Sequence, residues 1–270
     1  MSDGDKVFSG SIAKLYAACL VPLIFEPYAA DLQSRVGAMC RSRILEVAAG
    51  TGVVTRALAS LHDPQLSIVA TDLNQAMLDE AVVAGTARPV RWRQADALAL
   101  PFADGQFDLV VCQFGAMFFP DKAKAFSEAR RVLTPGGVFL FNVWDAIAEN
   151  EFADTVTSAL EAVFPDDPPR FLVRTPHGYH DRSVIERDLA AGGFTQSPQW
   201  ATVAARSRAL SPRVPAIAYC QGTPLRNEIE ARGGTGLADA TDAAAAALAR
   251  RFGARAVDGK IQAQVAMIEK

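Results

Sequence analysis

The stretch "ILEVAAGTGVVTRAL", Ile44 to Leu58, decides the fold. An apolar run carrying one carboxylate, Glu46, meets a loop with Gly50 and Gly52, and a helical pattern follows. A strand, a glycine turn and a helix in that order make a nucleotide site, because ligands of open α/β sheets sit beyond the carboxyl ends of the strands. Glycines in such a turn let the backbone come close to a ligand and take dihedrals closed to other residues. The run Gly50-x-Gly52-x-x-Thr55 lacks the third small residue of a dinucleotide fingerprint. Glu46 would also sit poorly beside a pyrophosphate, and well beside a ligand bearing an ammonium and a sulfonium.

Downstream, strand and helix patterns alternate. "LSIVATD" (Leu66–Asp72) predicts a second strand, with Asn74 able to cap the helix after it. "VRWRQAD" predicts a third strand ending at Asp96, and "FDLVVCQF" (Phe107–Phe114) a fourth. A helix is expected from Asp121 to Leu133; Pro135-Gly136-Gly137 stops it and turns into "VFLFNVW", the fifth strand. Short connections between such units imply right-handed crossovers and a parallel sheet covered on both faces.

The flanks read differently. Ile12, Leu15, Tyr16, Cys19, Leu20, Leu23 and Ile24 recur at helical spacing, and Pro27 opens a second helix. Glu149–Phe164 reads as a helix, followed by a proline-rich loop over Pro165–Pro176 and a helix capped by Asp181 that ends at Gly192-Gly193. "FTQSPQWATVA" is a strand candidate, Ser211–Phe252 is helical, and "KIQAQVAMIEK" alternates as a half-buried strand does. The expected architecture is therefore α/β: a Rossmann-like, seven-stranded, mostly parallel sheet with N-terminal helices and a helical insertion before the last strand. We read residues 1–270 as a single domain, with an N-terminal helical lid over 1–42 and a ligand-binding core over 43–145. Substrate-side elements fill 146–270, including the insertion 211–253 and the last strand 260–269.

Composition narrows the partners. The chain of 270 residues is half hydrophobic and carries a net charge of −3 without a long basic run. A nucleic-acid partner needs a basic surface to displace counterions, so none is expected. Cys19, Cys40, Cys112 and Cys220 lack CxxC spacing and read as reduced thiols of a cytoplasmic protein. The run Leu20–Phe25 is too short to span a bilayer, and no stable membrane insertion is expected.

The ordered set "EVAAGTG", "TDL" (Thr71–Leu73), "DA" (Asp96-Ala97), "FDLVVCQFG" and "RVLTPGG" resembles the class I S-adenosylmethionine-dependent methyltransferases over about residues 12–145. "RVLTPGG" and "FGAMFFPD" look most like the branch holding the ubiquinone/menaquinone-biosynthesis C-methyltransferases and small-molecule relatives. That fold ends with an antiparallel seventh strand. The resemblance implies S-adenosylmethionine as cofactor and a small-molecule methyl acceptor. It places Glu46 and Gly50 near the methionine moiety, with Ala48, Thr51 and Gly52 in the same loop. Asp72 would hold the ribose, Leu73 would pack on the adenine, Asp96 and Ala97 would bind the adenine edge, Gln113 would lie near the reacting methyl, and Met77 belongs to the same cofactor-binding set. Many relatives have Asp at position 46 and Gly at position 48. The end of strand four, "CQFG", is not the Asn-Pro-Pro-Tyr type found in enzymes that methylate exocyclic or amide nitrogens.

Methyl transfer requires alignment above all, and a base only where the nucleophile must lose a proton. Tyr16, Tyr28, His177, Tyr179 and His180 are the candidates for a base or an orienting group, and His177, His180 and Tyr16 stand first among them. Two histidines three residues apart without a third ligand do not make a metal site, so no metal is expected. His62 beside Asp63-Pro64 reads as a surface turn. Two alternatives stay open at this point: an NAD(P)-dependent oxidoreductase, and a protein that binds the cofactor or its demethylated product without chemistry.

Overall fold

The computed structural model describes residues 11–39, 41–234 and 236–270. The first ten residues of the expected lid and the thiol of Cys40 lie outside them. Cys19, Cys112 and Cys220 are free thiols.

Seven strands form one sheet in the order β3-β2-β1-β4-β5-β7-β6. The first five are β1 (Arg43–Val47), β2 (Ser67–Asp72), β3 (Arg91–Gln94), β4 (Phe107–Gln113) and β5 (Leu133–Trp144). They pair in parallel, and the order reverses between β1 and β4. β6 (Gln199–Ala209) and β7 (Val257–Glu269) run antiparallel, with β7 between β5 and β6. The sheet is the one expected, with β6 joining the last strand in the antiparallel edge.

The chain groups into two compact units. One holds Glu26–Val143, Tyr179–Val203 and Ala263–Lys270, and the other holds residues up to Phe25, Trp144–Gly178 and Ala204–Gln262. In the first unit, strand alternation sends successive side chains to opposite faces. On one face Ile44, Ile68, Leu109, Val111, Val138 and Leu140 pack with Leu32 and Val36 of α2 (Glu26–Gly37) and with Val54 and Leu58 of α3 (Val53–Ala59). On the other, Phe139 and Phe141 stack at 4.7 Å and meet Phe126 of α5 (Lys122–Val132). Phe194, just after α8 (Arg182–Ala191), stacks on Phe139. Burying each such side chain contributes about 1.5–3 kcal/mol, which outweighs the modest propensity of a seven-residue helix such as α3. Asp121 caps α5 through Lys124 N–H, as expected of that residue type. Asn74 does not cap α4 (Gln75–Ala84) with its side chain; its own N–H donates to Asp72 Oδ1 instead.

In the second unit α6 (Glu151–Val163) packs beside α11 (Leu237–Phe252), where Phe152 and Phe252 meet edge to face. A Cβ on Gly259 of β7 would lie 2.7 Å from the Phe152 ring, so only glycine lets strand and helix approach this closely. The stretch Ser211–Phe252 is helical as expected and holds three helices: α9 (Arg213–Gln221), α10 (Leu225–Ala231) and α11. Gly222-Thr223-Pro224 and Gly233-Gly234 break it, the latter pair at φ +61° and +68°. The proline-rich loop holds one short helix, α7 (Phe171–Arg174).

Before α2, the short helix α1 (Ser11–Leu15) runs into a π-helix, Tyr16–Phe25, with Pro22 inside. Ile12–Gly37 as a whole is long and apolar enough to cross a membrane, and half of its most apolar stretch is buried within the protein. Core helices pass the same test of length and composition.

Candidate functional site

The register of the parallel strands gathers polar groups at one edge. Ile44 pairs with Ile68 and Glu46 with Ala70, so Asp72 points to the same face as Glu46. Glu46 also pairs with Val111, Val111 with Leu140, and Gln113 with Asn142. Asp72, Glu46, Gln113 and Asn142 therefore form a row on one face, at the carboxyl ends of four adjacent strands, above the Ile44–Leu140 core. All four are buried. Asn142 is the member that the sequence reading missed. Its signal was available: it is the single polar residue in the apolar run "VFLFNVW".

The glycine loop crosses the end of this row. Ala49 N–H donates to Thr71 O and Gly52 N–H to Ala49 O, both at 2.9 Å. Gly50 has φ +55° and Gly52 φ +78°, left-handed values that glycine takes at little cost. A Cβ on Gly52 would lie 2.9 Å from the Trp92 ring and 3.1 Å from Ala81 Cβ, so the turn needs glycine for space as well. Ala48 takes φ +55° despite its Cβ. Arg56 Nη1 donates to Thr51 O at 2.7 Å. Thr51 Oγ1 is buried with no hydrogen-bond partner among the described residues, which points to a missing polar group at the loop.

The two carboxylates are held differently. Asp72 accepts Gly50 N–H on Oδ2 and Asn74 N–H on Oδ1, each at 2.8 Å. Burial raises its carboxyl above the ordinary value, and these N–H groups oppose the rise. Glu46 accepts the Thr55 hydroxyl on Oε2 at 2.5 Å, and its backbone carbonyl accepts the Thr71 hydroxyl. Burial pushes the Glu46 carboxyl from the ordinary 4.5 up to about 8, against the pull of the Thr55 bond and the Arg56 charge. A carboxyl raised on folding supports stability below its unfolded value and loses that support as pH rises through the folded one. The unliganded protein should accordingly melt at lower temperature as pH rises from about 5 to about 8. Glu46→Gln should flatten that slope, as thermal midpoints read across pH would show.

The remaining residues of the expected cofactor set follow the carboxyl ends of β2 and β3. Leu73, next to Asp72, is held 47% exposed, an uncommon place for leucine beside so much buried surface. Met77 is buried on α4, with its Cε 3.6 Å from where a Gly50 Cβ would stand. Ala97 is buried; Asp96 is exposed and turns its Oδ1 back to Leu98 N–H. The orphaned Thr51 hydroxyl, the buried acids and the apolar Leu73 fit an adenosyl ligand with a cationic tail. Phosphate oxygens would find two acidic groups facing them.

The candidate bases separate. In the second unit His177 is 5% exposed, and its Nδ1 stands 2.9 Å from Asp145 O. Its ring lies 6.0 Å from Trp144, Trp144 lies 5.9 Å from Phe25, and Phe25 stacks on Tyr16 at 5.1 Å. Tyr16 and His177, 161 positions apart in sequence, are thus joined through Phe25 and Trp144 by a run of ring contacts. His180 belongs to the other unit and is half-buried beside Asp181. Tyr179 donates its hydroxyl to Asp188 Oδ2 at 2.8 Å under the Lys122 ammonium, and burial raises its phenol further above the ordinary range. The Tyr28 hydroxyl donates to Val203 O at 3.4 Å, and its ring meets Phe114 edge to face. His62 is exposed, as a turn residue should be. Among the described residues no cluster of three or more His, Cys, Asp or Glu could hold a metal.

A family model described as "Methyltransferase domain" matches residues 45–141. The ubiquinone/menaquinone biosynthesis C-methyltransferase UbiE of Stutzerimonas stutzeri is 30% identical over 58% of this chain and 67% of its own length. The UbiE of Teredinibacter turnerae is 39% identical over 57% of this chain and 67% of its length. Among solved structures, the YcgJ protein of Bacillus subtilis shares the fold, with a TM-score of 0.56 at 17% identity over 90% of this chain and 98% of its own. The [4+2]-cyclase SpnF shares it as well, with a TM-score of 0.55 at 18% identity over 90% of this chain and 80% of its own. Fold likeness alone therefore does not fix the chemistry; the relatives in sequence, like the donor set, favour neither the dinucleotide oxidoreductase nor a binder without chemistry. The chain belongs to the class I S-adenosylmethionine-dependent methyltransferases and is of the UbiE type.

Proposed function

We propose that the chain moves the methyl group of S-adenosylmethionine to a small organic acceptor, using Asp72, Glu46 and the Ala48–Gly52 loop as the cofactor cradle. The row of buried polar groups at the carboxyl edge carries this reading. Asp72 would accept the ribose hydroxyls, Leu73 and Met77 would pack on the nucleoside, Asp96 and Ala97 would meet the adenine edge, and Thr51 and Gln113 would complete the cradle toward the methyl. The cofactor supplies an activated methyl on a sulfonium, and the protein aligns the nucleophile and excludes water. Glu46, protonated in part near neutral pH, would shed its proton as the cationic tail settles beside it. Calorimetry in buffers of different ionisation heat reads that release directly, and Glu46→Gln should remove it.

The ring chain Tyr16–Phe25–Trp144–His177 supports a flat, largely apolar acceptor. The UbiE relatives act in ubiquinone and menaquinone biosynthesis by name, which agrees with a ring-bearing acceptor. Because Asp145 O can only accept, the neutral His177 ring carries its proton on Nδ1 and its lone pair on Nε2. We take the buried His177, ahead of the half-buried His180, as the candidate to receive a proton from an acceptor hydroxyl. We read the chain as working as one domain in the cytoplasm, without nucleic acid and without stable membrane insertion, since half of the apolar N-terminal stretch is buried in the protein. S-adenosylhomocysteine should bind in calorimetry and NAD(H) should not. NAD(H) binding without S-adenosylhomocysteine binding would overturn the cradle. A panel of acceptors followed by S-adenosylhomocysteine release then identifies the substrate.

A further inference from the structure

We propose that Asn142 is a positioning residue that sets cofactor affinity by holding the turn after β4 against the glycine loop. Asn142 is wholly buried. Its Oδ1 accepts Phe114 N–H at 2.9 Å, and the same N–H reaches Asn142 O at 3.2 Å. Phe114 has φ +51°, a left-handed backbone that a bulky side chain rarely adopts. Such a conformation persists only where its surroundings over-determine it, and the doubly accepted N–H is the local restraint. Asn142 Nδ2 is buried without a partner among the described residues. The amide therefore stays in the strand for what Oδ1 does, at the expense of an idle donor.

The consequence travels one residue further. Gly115 follows the strained Phe114, and a Cβ on it would lie 2.5 Å from Ala48 Cβ and 2.8 Å from Cys112 Sγ. The turn after β4 is thus seated on the first residue of the cofactor loop, at a distance that only glycine permits. Ala48 is itself left-handed, so two strained residues, on β4's turn and β1's loop, press on one contact. If Phe114 relaxed to an ordinary φ, Gly115 would swing away and Ala48 would lose its seat. The Ala49–Gly52 backbone beyond it would then be free to leave the shape that suits the cofactor.

This inference rests on the cradle proposed above. Asn142→Leu removes the acceptor at similar volume and should weaken S-adenosylhomocysteine binding by about tenfold or more in calorimetry, with a cooperative thermal transition retained. In a Phe114→Gly background, where glycine takes the left-handed backbone unaided, the same substitution should change affinity by less than about twofold. Equal losses in both backgrounds would mean that Asn142 only fills the core, and an unchanged affinity in Asn142→Leu would also overturn the proposal. Should Asn142→Leu fail to fold, the other end of the relay is read instead. Gly115→Ala should weaken binding by about tenfold, and combining it with Ala48→Gly and Cys112→Ala, which remove both atoms that the new methyl would meet, should recover it to within about threefold; no recovery overturns the relay. Asp72→Ala measured alongside separates the two readings. If it leaves affinity intact the cradle itself is wrong, whereas its loss beside an unaffected Asn142→Leu defeats this inference alone.

Discussion

Asp72→Ala is expected to weaken S-adenosylhomocysteine binding by about 3–4 kcal/mol, roughly two to three orders of magnitude in affinity. Two contributions add. Hydrogen bonds to a charged group are worth about 1.5–3 kcal/mol, and a ribose would offer two hydroxyls to this carboxylate. The second contribution comes from the protein. Asp72 Oδ2 holds Gly50 N–H, so its removal frees the loop that the ligand must meet, and the ligand then has to order it. Asp72→Asn keeps an acceptor for Gly50 and should lose less than alanine does, which separates the two effects. The pH dependence has a definite sign. Burial raises the Asp72 carboxyl, so protonation on acidification removes the acceptor sooner than for an exposed aspartate, and affinity should fall at the acid end. Calorimetric titrations of the two variants suffice; an alanine variant that binds as the parent does would place the ribose elsewhere.

The groups of the proposed cradle were legible as a cluster because their placement is local. Glu46, the two glycines and Asp72 sit where a strand ends and a turn begins, and alternation plus turn chemistry are enough to place them. Asn142 was not found, although it interrupts an apolar strand, because its role depends on register. Nothing within "VFLFNVW" says that Asn142 will face Gln113 and the Phe114 N–H across the β4–β5 ladder. The left-handed Phe114 was equally hidden, since propensity argues against it and only tertiary restraint maintains it.

The flanks show the converse. The spacing from Ile12 to Ile24 predicts an ordinary helix, yet Tyr16–Phe25 is a π-helix. Pro22 has no N–H for the carbonyl four residues back and crowds it, so the ladder widens around it. In the insertion the helical reading of Ser211–Phe252 holds, and Gly222-Thr223-Pro224 and Gly233-Gly234 divide it into three helices. His177 and His180 were indistinguishable as neighbours in one loop. Packing alone separates them, sending one into the Trp144 ring and onto Asp145 O and leaving the other half-buried.

That separation carries the second large effect. His177→Asn should lower turnover of a hydroxyl acceptor by about 10²–10⁴-fold, the usual contribution of a positioned general base. Asparagine is the informative replacement, because its amide N–H can stand in for Nδ1–H and donate to Asp145 O while nothing replaces Nε2. Asp145 is itself fixed at both ends, with its N–H on Gln262 O at 3.0 Å and its Oδ2 taking Gln262 Nε2 at 2.7 Å, so the imidazole has a rigid partner. The His177 backbone N–H donates to Leu172 O at 3.0 Å and should hold the loop in the variant. In the proposed step His177 Nε2 would take the acceptor's hydroxyl proton while the oxygen forms its bond to the transferred methyl, the methyl–sulfur bond breaks and its pair stays on the sulfur of S-adenosylhomocysteine. S-adenosylhomocysteine affinity should stay unchanged in calorimetry, because the substitution touches the acceptor side only. The rate of the variant should recover as pH rises toward the acceptor's own ionisation, where a base is no longer needed; the parent should not need that rise. A variant that turns over at the parent rate, with the parent pH profile, would leave His177 as a wall of the ring chain and nothing more.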